Sequence, residues 1–376
     1  MLSDEEWEQE NFRNHLAVLL RKAYYDARKN GKRMTHDEQD FEENEDINLK
    51  LLLDDIMSRR YRPSRGTVHI INKPVKREIF AAPFRDRIVH HLIYNLVYSW
   101  WDRHFIYDSY SCRVGKGTKK GHERLDHHIR AASLNYAIPV YILKLDIQGF
   151  FMSMPRARLL ELALNGLRRQ YAGRLDSEEY KMLKFLWTQI IMDDPVKGVR
   201  VVGKRSEWDD LPPEKSLFNQ PPGVGIVIGN LTSQLLSNIF LNELDRFVKF
   251  HLGYKHYGRY VDDFYIVVTR EQLPQLMRDV KAIEMFLKSL GVRLHPRKRV
   301  LVSDAQGVEF LGAYVHRGYV LPGKRVTSNF RQACKEVVAG ERELESVVSY
   351  MGHMKHFKNK KFTAKVFEYV GWEYRY

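Results

Sequence analysis

The chain of 376 residues contains only two cysteines, Cys112 and Cys334, which lie 222 positions apart. A pair so distant provides neither the closely spaced thiols of a zinc site nor the bridges that stabilise small secreted proteins. We therefore expect a protein of a reducing compartment, by default the cytoplasm.

Long apolar runs are also missing. No stretch approaches the ~20 apolar residues that cross a membrane, and the acidic start, Met1 to Glu6, lacks the pattern of a signal peptide. Neither the Walker pattern of phosphate-binding loops nor the HExxH pattern of zinc proteases occurs. We therefore expect no membrane partner, no P-loop nucleotide site and no zinc site of the HExxH kind.

Acidic residues are outnumbered: the chain has 47 Asp and Glu and 61 Lys and Arg, which gives a net charge of +14. Residues 1–58 hold 15 acidic and 8 basic side chains, whereas residues 291–376 hold 16 basic and 8 acidic ones. Such a positive excess predicts a polyanionic partner. Aromatic and histidine residues interleaved with the basic ones favour a nucleic-acid groove in the C-terminal segment: Tyr350, His353, His356, Phe357 and Phe362.

The most informative stretch runs from Lys255 to Val268 and has Asp262-Asp263 at its centre. Asp-Asp occurs four times, but Asp54-Asp55 lies in an apolar helical run and the pairs at 193–194 and 209–210 lie in a polar loop. Only Asp262-Asp263 has β-branched and aromatic residues on both sides, which predicts a hairpin with the aspartates at its tip. Carboxylate oxygens are ligands that Mg²⁺ prefers.

A second carboxylate, Asp146, ends the apolar run from Pro139 to Ile147, which predicts a buried strand. A carboxylate there is costly unless it is paired or bound to a metal. Asp262 follows 116 residues later, after a glycine-containing loop and a predicted helix, and this is the order of a polymerase palm. A two-metal polymerase site needs carboxylates from separate strands. We expect Asp146 and Asp262 to bridge the metals and Asp263 to support them.

Residues 61–84 are predicted to be extended and to form a hairpin that carries Lys73, Lys76 and Arg77. Their charges suit an incoming triphosphate, but an edge hairpin protected by lysine explains them equally well. Apolar spacing predicts helices at 5–29, 47–58, 87–101 (capped by Asp86), from about 156, and at 177–192, 235–250, 271–290 and about 327–369. Further strands are predicted at 299–302, 308–315 and 319–321, and a long polar loop at 193–222.

Together these motifs resemble those of reverse transcriptases over most of the chain. Tyr260-Val261-Asp262-Asp263 matches their YxDD motif, and Lys144 to Phe151 matches their first catalytic motif. The resemblance implies two Mg²⁺ ions, for which Mn²⁺ is a substitute, at a metal site of Asp146, Ile147, Asp262 and Asp263. It also implies that Lys298 joins the three aspartates as the general acid for the leaving pyrophosphate.

The same resemblance implies residues that bind nucleotide and primer. Phe151 matches the aromatic steric gate that excludes a ribose 2′-hydroxyl and so favours deoxynucleotides. Lys73 and Arg77 match the triphosphate-binding residues of the fingers. Phe310-Leu311-Gly312 matches the primer grip.

Within this superfamily, the chain most resembles the reverse transcriptases of diversity-generating retroelements. Most reverse transcriptases have Gln-Gly where this chain has Ile228-Gly229, and in this family the change accompanies error-prone copying opposite template adenine. Ile228, Gly229 and Gln234 are accordingly assigned to the nucleotide site. One departure is Ile226-Val227, where the family usually has Leu-Pro. Proline fixes φ and removes an N–H donor, so its absence bears on how this loop lies on the template. The stretches that carry the resemblance are Glu78 to His91, Cys112 to Thr118, Leu211 to Phe218 and Ile228 to Gln234.

The resemblance implies an α+β right-hand polymerase with fingers, palm and thumb, an antiparallel palm sheet and a helical N-terminal extension. The boundaries are 1–59 for the extension, 60–138 for the fingers, 139–316 for the palm with an insertion at about 150–222, and 317–376 for the thumb. Expected partners are an RNA template, the DNA product and dNTPs, with a small basic accessory protein or a structured non-coding RNA and an oligomer as further options. A bacterial or phage-encoded cytoplasmic protein is expected.

Three alternatives stay open. One is a related defence-associated reverse transcriptase that copies a dedicated non-coding RNA in response to phage. Another is a non-catalytic RNA-binding scaffold on a degenerate polymerase fold, which the complete set of three carboxylates disfavours. The last is an RNA-dependent RNA polymerase, which Phe151 disfavours.

Overall fold

The computed structural model describes residues 3–29, 35–72, 75–355 and 357–372, and the chain divides into two compact units. Unit 1 comprises Met1–Ile106, Ile147–Leu244 and Phe286–Arg293. Unit 2 comprises Tyr107–Asp146, Asp245–Met285 and Leu294–Tyr376.

Groups of helices and groups of short strands follow one another along the described chain. In order, the elements are α1 (Asp4–Ala27), α2 (His36–Glu42), α3 (Glu45–Met57), β1 (Thr67–Ile71), β2 (Arg77–Ala81), α4 (Phe84–His104), α5 (Thr118–Ala132), β3 (Val140–Asp146), α6 (Phe150–Ser153), α7 (Arg156–Gln170), α8 (Glu178–Met192), β4 (Arg200–Val201), α9 (Leu231–Arg246), β5 (Tyr257–Tyr260), β6 (Asp263–Thr269), α10 (Leu273–Ser289), β7 (Val300–Ser303), β8 (Val308–Phe310), β9 (Ala313–His316), β10 (Tyr319–Pro322), α11 (Lys324–Val338), α12 (Glu345–Met354) and α13 (Lys360–Tyr369).

The N-terminal helices of unit 1 follow from capping and apolar spacing. Ser3 begins α1 with a capping box, in which its hydroxyl accepts from the Glu6 N–H and its own N–H donates to the Glu6 side chain. Leu16, Leu20 and Ala23 recur at helical spacing and are buried where α1 packs on α3 and α4. The helical N-terminal part of the predicted fold class is therefore confirmed.

The sheet of unit 1 is a hairpin with one added strand. β1 pairs antiparallel with β2 and parallel with the short β4. Val68 and Phe80, on the inner face of the hairpin, form a small core with Met152 and Leu217. The predicted long loop thus contributes Leu217 to the support of the hairpin.

Unit 2 is built on a four-stranded antiparallel sheet in the order β5-β6-β3-β7. β3 pairs with β6 from Val140 opposite Thr269 to Asp146 opposite Asp263. Alternate side chains of both strands pack under α5 in the main core of the unit. Because side chains alternate with a period of two, this register decides which residues share a face at the end of β3.

A second antiparallel sheet, β8-β9-β10, precedes helices α11–α13. Tyr350 and Phe362, whose position among basic residues favours a nucleic-acid groove, pack against Phe330 with ring centroids 6.3 and 6.2 Å away. These two rings therefore stabilise the core of the C-terminal helices. His356 and the side chain of His353 lie outside the described residues.

The prediction of one strand at 308–315 is wrong. Leu311 has a φ of +50° and Gly312 a φ of +78°, so the chain turns between β8 and β9. Positive φ at two successive residues is the geometry of a tight hairpin turn, and glycine adopts it without strain. The apolar run therefore contains two short strands that pair with each other.

The predicted cap of α4 is also wrong. The helix begins at Phe84, and Asp86 lies within its first turn. The Asp86 carboxylate accepts from the Tyr61 hydroxyl at 2.9 Å and from the Ser64 N–H at 2.6 Å. Burial raises the pKa of Asp86. Asp86 therefore joins the start of α4 to the chain before β1.

Helices and mainly antiparallel sheets occur together in both units, which confirms the predicted α+β class. Among the described helices, none is both long and apolar enough to cross a membrane.

Candidate functional site

The aspartate pair lies at the tip of a tight hairpin in unit 2, as predicted. β5 ends at Tyr260, β6 begins at Asp263, and these two residues pair, so Val261 and Asp262 form a two-residue turn. Val261 has a φ of +52° and Asp262 has no positive φ, which is the pattern of a type II′ turn. A β-branched residue with positive φ is strained, and such strain is typical of functional sites.

The register of the sheet places Asp146 beside this tip. Asp146 is the cross-strand partner of Asp263, and Lys144 lies on the same face of β3 two residues earlier. The structure therefore brings the three predicted carboxylates, at positions 146, 262 and 263, to one end of the sheet.

Two lysines face the carboxylates. Lys298 Nζ donates to Asp146 Oδ2 at 2.9 Å, and Lys144 Nζ lies 3.7 Å from Asp263 Oδ2. The other oxygens, Asp146 Oδ1 and Asp263 Oδ1, are buried and have no hydrogen-bond partner within the described residues. Buried carboxylate oxygens rarely lack a partner, so these two are available for a ligand.

The crowded charges shift the ionisation of the site. Burial, reinforced by the charge of Asp146, raises the pKa of Asp262 to about 6. Burial also raises the pKa of Asp263 to about 7, although Lys144 acts in the opposite direction. Burial disfavours the charged form of Lys298, yet its bond to Asp146 outweighs this and raises its pKa. The site is therefore short of positive charge, and Lys298 stays protonated at neutral pH.

The donor set fits a divalent cation. Oxygen ligands and excess negative charge are what Mg²⁺ requires, and two carboxylate oxygens are unpartnered. Within the described ranges, no group of three or more His, Cys, Asp and Glu side chains is placed so that it could hold a metal ion by itself. Because Mg²⁺ is commonly held by one or two carboxylates together with substrate phosphates and water, the site suits a cation that arrives with a nucleotide.

The predicted primer-grip residues form the turn between β8 and β9 in unit 2. His122 Nε2 donates to the Phe310 carbonyl at 3.0 Å, and the Phe310 ring packs edge-on against Tyr265. A Cβ at Gly121 would lie 2.8 Å from Leu311 Cδ1 and 3.3 Å from Phe310 Cε1, so α5 packs closely on this turn and a larger residue would shift the Leu311 side chain. Gly312 accepts from the Gly323 N–H through its carbonyl. The turn is thus firmly held, and its contact with primer stays a prediction.

Ile228 and Gly229, predicted to lie at the nucleotide site, are fastened to the hairpin of unit 1. The Ile228 carbonyl accepts from the Phe80 N–H at 2.9 Å. Gly229 has a φ of +136°, and a Cβ there would lie 2.1 Å from the Phe80 carbonyl oxygen, so any larger residue would displace the loop. Gln234 is exposed on α9.

The other predicted positions are placed as follows. Phe151 is half-buried in α6, with its ring edge-on to Phe150, and Ile147 is buried directly after Asp146. Arg77 begins β2, where it pairs with Ile71, and Lys73 lies outside the described residues. Since Phe151, Arg77, Ile228, Gly229 and Gln234 belong to unit 1 and the aspartates to unit 2, their joint role in nucleotide binding stays a prediction.

Sequence reasoning assigned no role to three charged residues that the structure singles out. Lys144 faces Asp263, Arg259 is fully buried behind the aspartate turn, and Glu78 is fully buried on β2. The Glu78 carboxylate accepts from Trp208 Nε1 and the Leu217 N–H at 2.9 and 2.8 Å, which fixes the long loop to β2. The only signal available was a charged residue within an apolar, strand-forming run, which marks a buried partner without identifying it.

Comparison with known proteins agrees with this geometry. Residues 212–315 match the model of the family "Reverse transcriptase (RNA-dependent DNA polymerase)". This segment includes the aspartate hairpin, Lys298 and the turn at 310–312. No curated protein matches the chain in sequence.

Solved structures of telomerase from Candida tropicalis share the fold. The complex with a TWJ fragment of telomeric RNA aligns with a TM-score of 0.50 and 13% identity, covering 83% of this chain and 56% of that chain. The apo telomerase aligns with a TM-score of 0.51 and 12% identity, covering 82% and 59%. The chain thus spans less than two thirds of these telomerase chains, and the likeness shows a common fold. Residues 212–315, which contain the aspartate hairpin, are therefore similar to the reverse transcriptase family, within a chain that shares the fold of these telomerases.

Proposed function

We propose that this protein copies a dedicated RNA template into DNA, with two Mg²⁺ ions bound by Asp146, Asp262 and Asp263. The observation that carries the proposal is the meeting of these carboxylates at one end of the β3–β6 ladder, where two buried oxygens lack partners. When bound, two divalent cations would activate the primer 3′-oxygen and neutralise charge on the leaving pyrophosphate.

Lys298 suits the role of general acid in this reaction. Its ammonium group contacts Asp146 at 2.9 Å, and the surrounding carboxylates raise its pKa, so it carries a proton at neutral pH. Its side chain is 58% exposed and therefore has room to move towards a leaving group. A positioned general acid contributes typically 10²- to 10⁴-fold to a rate.

The variant Asp262→Ala plus Asp263→Ala tests the proposal directly. It should abolish dNTP incorporation on a primed RNA template, measured by primer extension, while the affinity for the RNA–primer duplex stays close to that of wild type. The matched control is Asp209→Ala plus Asp210→Ala, an adjacent pair that is exposed in the loop of unit 1. Undiminished synthesis by the first variant would overturn the polymerase proposal and leave an RNA-binding scaffold.

Phe151 is proposed as the gate that selects deoxynucleotides. What supports this is its position five residues after Asp146 and its half-buried ring in α6. Phe151→Ala should raise ribonucleotide incorporation relative to deoxynucleotide incorporation, whereas Phe218→Ala, which truncates a partly exposed ring of the same unit, should not. Equal discrimination by Phe151→Ala and wild type would remove this role, and efficient rNTP use by wild type would favour an RNA polymerase.

The proposed biological role is mutagenic copying in a diversity-generating retroelement, by a cytoplasmic protein that a bacterium or a phage encodes. Its support is the sequence stretch from Ile228 to Gln234, in which Ile228 stands where most reverse transcriptases have glutamine. A structured RNA and a small basic accessory protein are proposed partners. Sequencing the co-purified RNA and the DNA made from it should show substitutions concentrated at template adenines. Faithful copies of a single non-coding RNA would favour the defence-associated alternative.

A further inference from the structure

A buried ion pair lies directly behind the aspartate turn. Arg259 in β5 and Asp245 in α9 are both 0% exposed. Arg259 Nε donates to Asp245 Oδ1 and Arg259 Nη2 donates to Asp245 Oδ2, each at 2.7 Å, so the guanidinium and carboxylate meet as two parallel forks. The Tyr257 hydroxyl also donates to Asp245 Oδ1 at 2.6 Å. The guanidinium plane is therefore fixed by its partner.

Stability alone does not explain this pair. Removing two charges from water is costly, and well-packed apolar residues in place of a buried pair are often at least as stable. The third guanidinium nitrogen of Arg259 has a different partner.

Arg259 Nη1 donates to the carbonyl oxygen of Val261 at 3.0 Å. Val261 is the strained residue of the turn, and its carbonyl belongs to the peptide that leads into Asp262. Arg259 Nη2 also donates to the Ser109 hydroxyl at 3.2 Å, which ties the same group to the chain before α5. One rigid cation thus joins α9, the Ser109 segment and the turn.

On the basis of the proposed polymerase function, we propose that Arg259, fixed by Asp245, is a positioning residue that holds the Val261–Asp262 turn in its strained conformation and so aims the Asp262 carboxylate. A hydrogen bond to the Val261 carbonyl sets the orientation of the peptide between Val261 and Asp262. Without it, a β-branched residue returns to negative φ, and the carboxylate that follows changes direction.

Arginine suits this task and lysine does not. The guanidinium offers donors in a fixed planar fork, so it can span the Asp245 carboxylate and the Val261 carbonyl at once. An ammonium group on a flexible side chain can pair with Asp245, but it has no second donor held in a fixed direction towards the Val261 carbonyl. Arg259→Lys therefore retains the charge and loses the geometric constraint.

The test uses two variants and a matched control. Asp245→Asn plus Arg259→Met removes both charges together, which avoids an unpaired buried charge, and Arg259→Lys keeps the charge if the first variant does not fold. The control is Arg317→Lys, since Arg317 makes a similar two-point contact with the buried Asp304 in the same unit. Single-turnover dNTP incorporation is measured per folded molecule, together with the KM for dNTP and the affinity for the primed template.

Both Arg259 variants should lower the maximal rate by about 10²-fold, the effect of displacing a reacting group by about 1 Å. The KM for dNTP and the template affinity should change by less than about twofold, and Arg317→Lys should keep the wild-type rate. A wild-type rate per folded molecule in the Arg259 variants would overturn the positioning role, because a purely structural pair changes only the folded fraction.

A crystal structure of the same variants gives a readout that does not depend on activity. Val261 should leave positive φ or adopt several conformations, and Asp262 should move. An unchanged turn overturns the inference even if activity falls. Absence of incorporation in wild type and Arg317→Lys would instead refute the proposed function, and the structural comparison would then decide the positioning of the turn by itself.

Discussion

Carboxylates lie near both ends of β3, and they differ in how fully they are hydrogen-bonded. At the start of the strand, the fully buried Asp304 accepts from the Val140 N–H and from two nitrogens of Arg317, and its own N–H donates to the Val140 carbonyl. At the other end, three carboxylates share two lysines, and two buried oxygens lack partners among the described residues. The same sheet thus has one satisfied and one unsatisfied acidic end.

Within unit 2, the hydrogen-bonded carboxylate stabilises the fold, and the carboxylates without partners mark the candidate site. A satisfied carboxylate contributes to the free energy of folding because its hydrogen bonds replace those to water. An unsatisfied cluster destabilises the free protein, and it persists where a ligand completes it. Variants at the two ends should therefore have opposite effects on stability and activity.

The largest expected effect among these comparisons is on the rate after a change at Lys298. Lys298→Gln removes the proposed general acid and should lower the maximal rate of dNTP incorporation by about 10²-fold, or about 2.7 kcal/mol. It should also remove the alkaline limb of the pH–rate profile. The control is Lys281→Gln on the exposed face of α10. A variant that keeps the wild-type profile would show that Lys298 only balances charge.

A second comparison concerns the stability of the cation-free protein as a function of pH. The pKa values of Asp262 and Asp263 are raised to about 6 and about 7, whereas an aspartate in the unfolded chain titrates near about 4. The folded protein therefore binds more protons in this window, and stability falls as pH rises from about 4 through about 7.

Asp262→Asn plus Asp263→Asn should remove this fall in stability with rising pH. The variant should be more stable than wild type by on the order of 2 kcal/mol at pH 8 and by much less at pH 5, measured by urea unfolding in a chelator. Asp209→Asn plus Asp210→Asn, at the exposed pair of the loop, provides the control. The same stability difference at both pH values would show that burial in the folded protein does not raise the pKa values of these two carboxyl groups.

The smallest effect on stability and rate is expected at Asp304, whose carboxylate is fully hydrogen-bonded. Asp304→Asn weakens the contacts to Arg317, which is partly exposed, and should cost about 1.5 kcal/mol of folding free energy. The rate of incorporation per folded molecule should not change. A loss of rate without a loss of stability would mean that the two ends of β3 are functionally coupled.

Local patterns predicted most of the elements that carry the site. The alternation of β-prone residues around Asp262 predicts the hairpin, and the apolar run before Asp146 predicts the strand, because both signals lie within a few residues. Local pattern does not predict the break at Leu311, because apolar residues flank it on both sides and only Gly312 indicates a turn. It also predicts the wrong role for Asp86, because the Asp86 carboxylate bonds to Tyr61 and Ser64, which are far from it in sequence.

The sequence by itself determined that Asp146 ends a strand and that Asp262 and Asp263 lie at a hairpin tip, since residue type and spacing are local properties. It also determined the family-like order of the motifs and the basic character of the chain. Only the tertiary structure decided that Asp146 pairs with Asp263, that Lys144 and Lys298 face them, and that Arg259 supports the turn. The reason is that strand register and the burial of charge depend on contacts between distant segments, and no local pattern specifies which distant partner satisfies a buried charge.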